Sequence, residues 1–349
     1  MALGNDRVSM LLQGKPIDMV PIFPLGIRGF AALGAGYTLA DAYGNGERSC
    51  QAELWAQEQY GFDGYPNYAY GVLGVWEYGG EIHMPDGEFE QAPMSVRLPV
   101  TTEEDIEKLQ LPTDIGAAGA MPIALAHSHL AAKAGSTVIT PNAGVFTTAG
   151  CLCGLSKLAK WMLKRPALAH RLLEHSRDLL IAMVQHWVDT FGPDILMYNA
   201  EPSASNQVIS ARHFEEFVLP YSIEVHSAAL KMGIKHIMTH ICGDQNLNLE
   251  LWKQVPMGDP GLLSFGHEVD LRTAIDVFGD TSVIAGNVEP ALIQTGRPDV
   301  LYKACTAAID AGKDAPRGFV LMSGCGFPPR TPPYNFYTMV KAAREYGKR

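Results

Sequence analysis

Eight short runs of apolar and β-branched residues, separated by stretches of helical periodicity, constrain this chain more than any other feature. They are "MVPIFPL" (19–25), "DGYPNYAY" (63–70), "STVITPNAG" (136–144), "DILMYNAEP" (194–202), "IKHIMTHICGD" (234–244), "GLLSFGHEVD" (261–270), "TSVIAGNVEP" (281–290) and "GFVLMSGCGFP" (318–328). Stretches such as 211–233 and 298–313 repeat apolar residues at the 3.6 period, so strands and helices alternate as βα units. Eight such units predict a single (β/α)8 TIM barrel spanning residues 1–349. Ser210 is placed to cap the 211–233 helix, and Gly233 and Gly312 stand where left-handed terminal residues are wanted.

Segment 71–118 departs from the βα rhythm. "WEYGGEIHMPDGEFEQAP" reads as a β-ribbon with turns at Gly79-Gly80 and Asp86-Gly87, followed by the short helix "TEEDIEKL", and is taken as an insertion near the barrel mouth. An open doubly wound sheet is disfavoured, because the glycines after the first run lack the G-x-G-x-x-G spacing of a phosphate loop.

The formal net charge of -10, without Lys/Arg clusters, disfavours nucleic-acid and anionic-membrane partners, which both require neutralising phosphate. No basic, apolar and small-residue leader opens the chain and no apolar run approaches membrane-spanning length, so a cytoplasmic location is expected. The six cysteines are scattered through a long chain, which argues against a disulfide framework. Cys151 and Cys153 form a C-x-C with no further Cys or His at ligand spacing, so a packing role at a helix start is expected of them. Sequence gives no oligomeric state, and a homo-oligomer stays open.

Polar residues gather at the C-terminal ends of six runs, the face on which barrel enzymes build their sites. They are Tyr68, Asn142, Asn199 with Glu201, His240 with Cys242, His267 with Glu268, and Asn287 with Glu289. Asn142, His267 and Glu268 are equally readable as caps or turn residues of the helices that follow. His240 and Cys242 are two apart on a strand, so their side chains share a face. Cys325, in a Gly-Cys-Gly setting at the end of the eighth run, faces the same mouth. One imidazole and two thiols make a borderline-soft set suited to tetrahedral Zn²⁺ with one position open. Two thiolates already cancel the ion's charge, so such a site favours holding a substrate thiol as a nucleophilic thiolate over polarising water. Alkyl transfer to sulfur is the chemistry this predicts, with Glu201 occupying the open position when no substrate is bound, orienting a metal ligand from behind, or serving as a first-turn carboxylate.

Taken together, "RVSMLLQGKPIDMVPIF", "GVFTTAGCLCG", "EPSASNQVISARHFEEFVLPY", "HICGD", "GNVEP" and "SGCGFPPRTPPYN" resemble the uroporphyrinogen decarboxylase superfamily over nearly the whole chain. "HICG" with the late Gly-Cys-Gly resembles its zinc-dependent corrinoid methyltransferase branch, typified by methylcobamide:coenzyme M methyltransferases. That resemblance implies His240, Cys242 and Cys325 as zinc ligands. It also implies a methyl group exchanged between a separate corrinoid protein, carrying methylcobamide, and a small-molecule donor or acceptor. No D-x-H-x-x-G corrinoid signature occurs in this chain. Candidate substrate-binding residues are Arg28, Tyr68, Asn142, Asn199, His267 and Asn287. True decarboxylases carry Arg-Gln-Ala-Gly-Arg after the first strand and Gly-His-Gly near the C-terminus. Here the first region keeps only Arg28, and Cys325 replaces the histidine. Three readings follow: methyl transfer onto a thiol such as coenzyme M, demethylation of a methoxylated aromatic or methylamine, and a decarboxylase-like lyase.

Overall fold

The computed structural model describes residues 6–86 and 92–349. The ribbon strands come first, β1 (Glu81–His83) and β2 (Met94–Arg97), then β3 (Met197–Ala200), β4 (Ile237–Ile241), β5 (Gly261–Phe265), β6 (Ser282–Val288) and β7 (Phe319–Ser323). β3 to β7 form one parallel sheet in chain order. Single parallel bridges extend it at both edges, Ile139 to Leu196 on one side and Ile22 to Leu321 on the other.

The second run, 63–70, makes no ladder among the described residues, contrary to the regular strand expected of it. It is tied to the first run by the Asp63 N–H to the Ile22 carbonyl (2.8 Å) and by the Ile22 N–H to the Asp63 carboxylate (3.1 Å). Gly64 sits at φ +95 and Pro66 has no N–H to donate, so this stretch is poorly suited to a regular ladder.

Closure is achieved by side chains. One buried cluster takes residues from all eight runs: Phe23 and Leu25, Tyr65, Ile139, Leu196 and Tyr198, Met238, Leu262, Val283 and Ala285, and Val320 and Met322. Alternate residues of each strand enter this lumen, as the period of two requires. A larger apolar cluster fills the layer between strands and helices. The expected α/β barrel is therefore the fold, with its ladder regular over five strands. The helix Arg7–Leu12 sends Val8, Leu11 and Leu12 into the lumen cluster. Leu11 lies against Gly318, just before β7, so this helix covers the N-terminal end of the barrel.

Local signals hold in part. Ser210 accepts from the His213 N–H (3.3 Å) as the expected cap, and Gly233 has φ +98. The 211–233 stretch is two helices, Ala211–Phe217 and Leu219–Lys231, because Pro220 lacks the N–H that a continuous helix needs. Gly312 is the last residue of the helix Pro298–Gly312 and has no positive φ, which corrects its reading as a left-handed cap. Its close approach to the Phe319 ring leaves no room for a Cβ, a packing reason for glycine. Cys151 and Cys153 end the helix Val145–Cys153 instead of starting one. β1 and β2 pair antiparallel, as the ribbon reading expects, while Gly87 of its second turn lies outside the described residues. Among the described residues no helix is long and apolar enough to cross a membrane.

Candidate functional site

On β4 the lumen side carries Met238 and then His240, and Cys242 follows one residue past the strand. His240 is 3% exposed, and its Nδ1 lies 2.6 Å from Ser264 Oγ on neighbouring β5. With the Nδ1 proton donated to that hydroxyl, Nε2 presents a lone pair, and Nε2 is buried without any partner. Cys325 follows β7 by two residues, its carbonyl accepting from Ser323 Oγ (2.6 Å). Its sulfur lies 3.6 Å from that of Cys242. The ligand atoms of His240, Cys242 and Cys325 all lie within 4.8 Å of one another, at the C-terminal mouth.

Three donors facing one point, one of them an orphaned imidazole nitrogen, fit a cation of the zinc type. The sulfurs share a proton, so one ionises readily and the other resists. The bond to Cys242 and the neighbouring His240 pull the Cys325 thiol down against its burial. Cys242 is pushed up by that same bond, then by burial and by the charge of Glu268.

Glu201 takes a different place from the open-position ligand considered above. It is fully buried, and its carboxylate accepts from the backbone N–H groups of Phe146 (3.0 Å) and Thr147 (2.7 Å) and from the Thr147 hydroxyl. It therefore caps the helix Val145–Cys153. Burial, opposed by those donors, pushes its pKa up to about 7. Strand parity explains the placement. Tyr198 and Ala200 face the lumen, so the next odd position turns outward toward the helix layer.

The carboxylate near the sulfurs is Glu268, which the sequence offered as a mouth residue or a cap and not as a neighbour of the thiols. Its Oε2 is buried without a hydrogen-bond partner, 3.5 Å from His267 Nδ1. The site of a Cβ on Gly266 would lie 2.5 Å from that oxygen and 3.1 Å from Cys242 Cα, so the carboxylate rests over Gly266 beside Cys242. Asn287 anchors this loop, its Nδ2 donating to the carbonyls of Gly266 (3.1 Å) and Val269 (2.7 Å). Asn142 donates to the Leu180 carbonyl (3.2 Å) on the helix Pro166–Phe191 and so faces the outer layer. Asn199 is buried with its Nδ2 unpartnered. The Tyr68 hydroxyl donates to the Tyr43 carbonyl (2.6 Å), and Arg28 lies over the Tyr43 and Tyr68 rings.

The family model for uroporphyrinogen decarboxylase (URO-D) matches residues 3–346. The chain belongs to the uroporphyrinogen decarboxylase family. Within that family it is similar to the methylcobamide:CoM methyltransferase MtaA of Methanosarcina barkeri, 28% identical over 97% of each chain. It is also 25% identical to the methylcobamide:CoM methyltransferase MtbA of Methanosarcina acetivorans, over 74% of each chain. A solved methyltransferase from Methanosarcina mazei superposes with a TM-score of 0.83 at 23% identity, covering 97% of this chain and 98% of that one, which shows the same fold. Like these relatives, the family member described here is an enzyme.

Proposed function

We propose that this enzyme is a zinc-dependent methyltransferase that moves a methyl group from a methylated corrinoid, carried on a separate protein, to a small thiol. The observation that carries the reading is the convergence of a His240 ring nitrogen and the sulfurs of Cys242 and Cys325 within 4.8 Å at the barrel mouth. The names of the relatives, methylcobamide:CoM methyltransferases, support the same reaction class. A zinc ion held by these three residues would supply the charge that keeps a substrate thiol ionised near neutral pH.

The chain's own residues prepare that site. Ser264 fixes the His240 ring through Nδ1 and leaves Nε2 free to take a ligand role. Asn287 holds the loop that sets Glu268 beside Cys242. The apolar lumen below, with Met238, Leu262, Val283 and Met322, keeps water from the floor. In the transfer itself the carbon–sulfur bond forms as the carbon–cobalt bond breaks. The bonding pair stays with cobalt, which falls from Co(III) to Co(I), and the thiol proton leaves to solvent.

Metal analysis of the purified protein is expected to give about one zinc per chain, reduced below about half an equivalent in Cys325→Ala. An anaerobic spectral assay is expected to show methylcobalamin consumed when a thiol is added and unchanged with methoxyarenes. Wild-type protein without zinc, or consumption driven by methoxyarenes alone, refutes the reading. A decarboxylase-like activity is disfavoured by the thiol set itself, because Cys325 closes the cluster that a metal would occupy.

A further inference from the structure

Beyond β4 the chain reads Gln245-Asn246-Leu247-Asn248, and all but the leucine carry amide side chains. Gln245 and Asn248 are fully buried, where an amide without partners is costly. Every polar side-chain atom of the pair is engaged. Gln245 Oε1 accepts from Asn248 Nδ2 (2.9 Å) and Trp252 Nε1 (3.1 Å), and its Nε2 donates to the Cys242 carbonyl (3.4 Å). Asn248 Nδ2 donates also to the Ala204 carbonyl (3.1 Å), and its Oδ1 accepts from Asn206 Nδ2 (2.9 Å). A filled network of this kind is rigid, because an amide that turns away leaves buried groups unpaired on both sides.

The network is anchored outside the turn it holds. Asn206, on the loop after β3, donates its N–H to the Asp244 carbonyl (2.6 Å) and accepts at Oδ1 from the Leu247 N–H (3.0 Å). Gly243 has φ +77, and its Cβ position lies 2.8 Å from Ser205 Cβ, so the loops after β3 and β4 touch with no room for a side chain there. On the other flank Trp252 is fully buried and meets Phe214 edge-on, with ring centres 5.0 Å apart. The turn that follows Cys242 is thus clamped between the neighbouring loop and the helix layer. A ligand set has to be held to about 0.5 Å, and a cysteine, with a single torsion to its sulfur, is aimed through its backbone.

We propose that Gln245 and Asn248 are positioning residues for Cys242, and that their amide network sets its sulfur 3.6 Å from that of Cys325 before any metal arrives. This rests on the zinc reading and deepens it: the ligand set is built by the fold and not gathered by the ion.

The test compares Gln245→Met and Asn248→Leu with Asn335→Leu. Asn335 is a buried amide of similar bonding elsewhere, its Nδ2 donating to the carbonyls of Ile293 (2.9 Å) and Gly296 (3.0 Å) from the helix Pro333–Tyr346. All three variants are expected to lower the urea midpoint. Only the network variants are expected to weaken zinc binding, by about 10 to 100-fold in a chelator competition. They alone are also expected to alter the visible spectrum of the Co²⁺-loaded protein, which reads the ligands directly. A readout without metal is phenylarsine oxide, which bridges two neighbouring thiols, added to the metal-free full chain. The wild type is expected to bind it through a site lost in Cys242→Ala, and Gln245→Met to bind it at least about tenfold more weakly. Zinc affinity and cobalt spectrum unchanged in both network variants, or changed equally in Asn335→Leu, overturn the proposal and leave the zinc reading standing. A wild type that takes up no zinc overturns the zinc reading. The arsenical then decides alone, and equal binding by the wild type and Gln245→Met overturns the positioning role. Should both network variants fail to fold, the half-buried Asn206→Ala, which removes the anchor alone, is put through the same measurements with the same outcomes deciding.

Discussion

Replacing Glu201 by Gln separates a helix cap from a metal ligand. The carboxylate is fully buried, and its pKa is pushed from an ordinary 4.5 up to about 7 by burial, against the pull of the Phe146 and Thr147 donors. Burial therefore outweighs the helix N-terminus. A group whose folded pKa is raised keeps its proton in the folded state after the unfolded chain has lost it. Between about pH 4.5 and 7 the folded chain thus binds more protons than the unfolded one, and stability falls as pH rises through that window. At 1.36 kcal/mol per pH unit the loss is about 3 kcal/mol, complete above the folded pKa. Glu201→Gln titrates nowhere in this range, and its amide also sets an NH2 against backbone donors, a penalty that does not vary with pH. The quantity to measure is the wild-type minus variant unfolding free energy, from urea titrations at several pH values between 4.5 and 8. It is expected to decline by about 3 kcal/mol, with the constant penalty cancelling from the slope. Zinc content of the variant is expected to match the wild type. A flat difference, or one that rises with pH, refutes the dominance of burial over the donors at Glu201; a variant that loses zinc refutes the cap.

Ser264→Ala removes the partner of His240 Nδ1 and is expected to weaken zinc binding by about 10 to 100-fold in a chelator competition. Gly266→Ala drives a methyl to within 2.5 Å of Glu268 Oε2 and 2.9 Å of the Gly243 nitrogen, so a destabilisation of about 1–3 kcal/mol in urea is expected together with weaker zinc retention. Cys151→Ala is expected to leave zinc stoichiometry unchanged, since its sulfur faces the Gly71 carbonyl (3.7 Å), whereas Cys242→Ala is expected to lose it. Met238→Ala opens a cavity in the lumen and is expected to lower stability by about 2–5 kcal/mol.

The barrel was legible because each run had to supply a lumen residue, and each does, from Phe23 to Met322. Where the ladder fails, at 63–70, Gly64 and Pro66 already marked the run as irregular, and its apolar content alone hid that. His240 and Cys242 were readable because spacing by two sets a common face on any strand. The same rule held the answer for Glu201. Tyr198 and Ala200 line the lumen, so an inward Glu201 would have required a change of parity that nothing in the run supplies. Glu268 was hidden for a different reason. It lies beyond β5 on a loop whose course is set by the Asn287 side chain, some twenty positions away in sequence, and strand periodicity does not extend to such a loop.

The helix Arg7–Leu12 stoppers the barrel from below with Val8, Leu11 and Leu12. Among the described residues that leaves the C-terminal mouth as the side from which the thiols are approached. A bulky carrier protein seated there would trap whatever small molecule had already gone in and exclude whatever had not. On the proposed function, traffic would then have an order: acceptor first, carrier second, carrier away before the methylated product. Steady-state kinetics are expected to show that sequence, with excess carrier slowing the reaction when the acceptor is scarce.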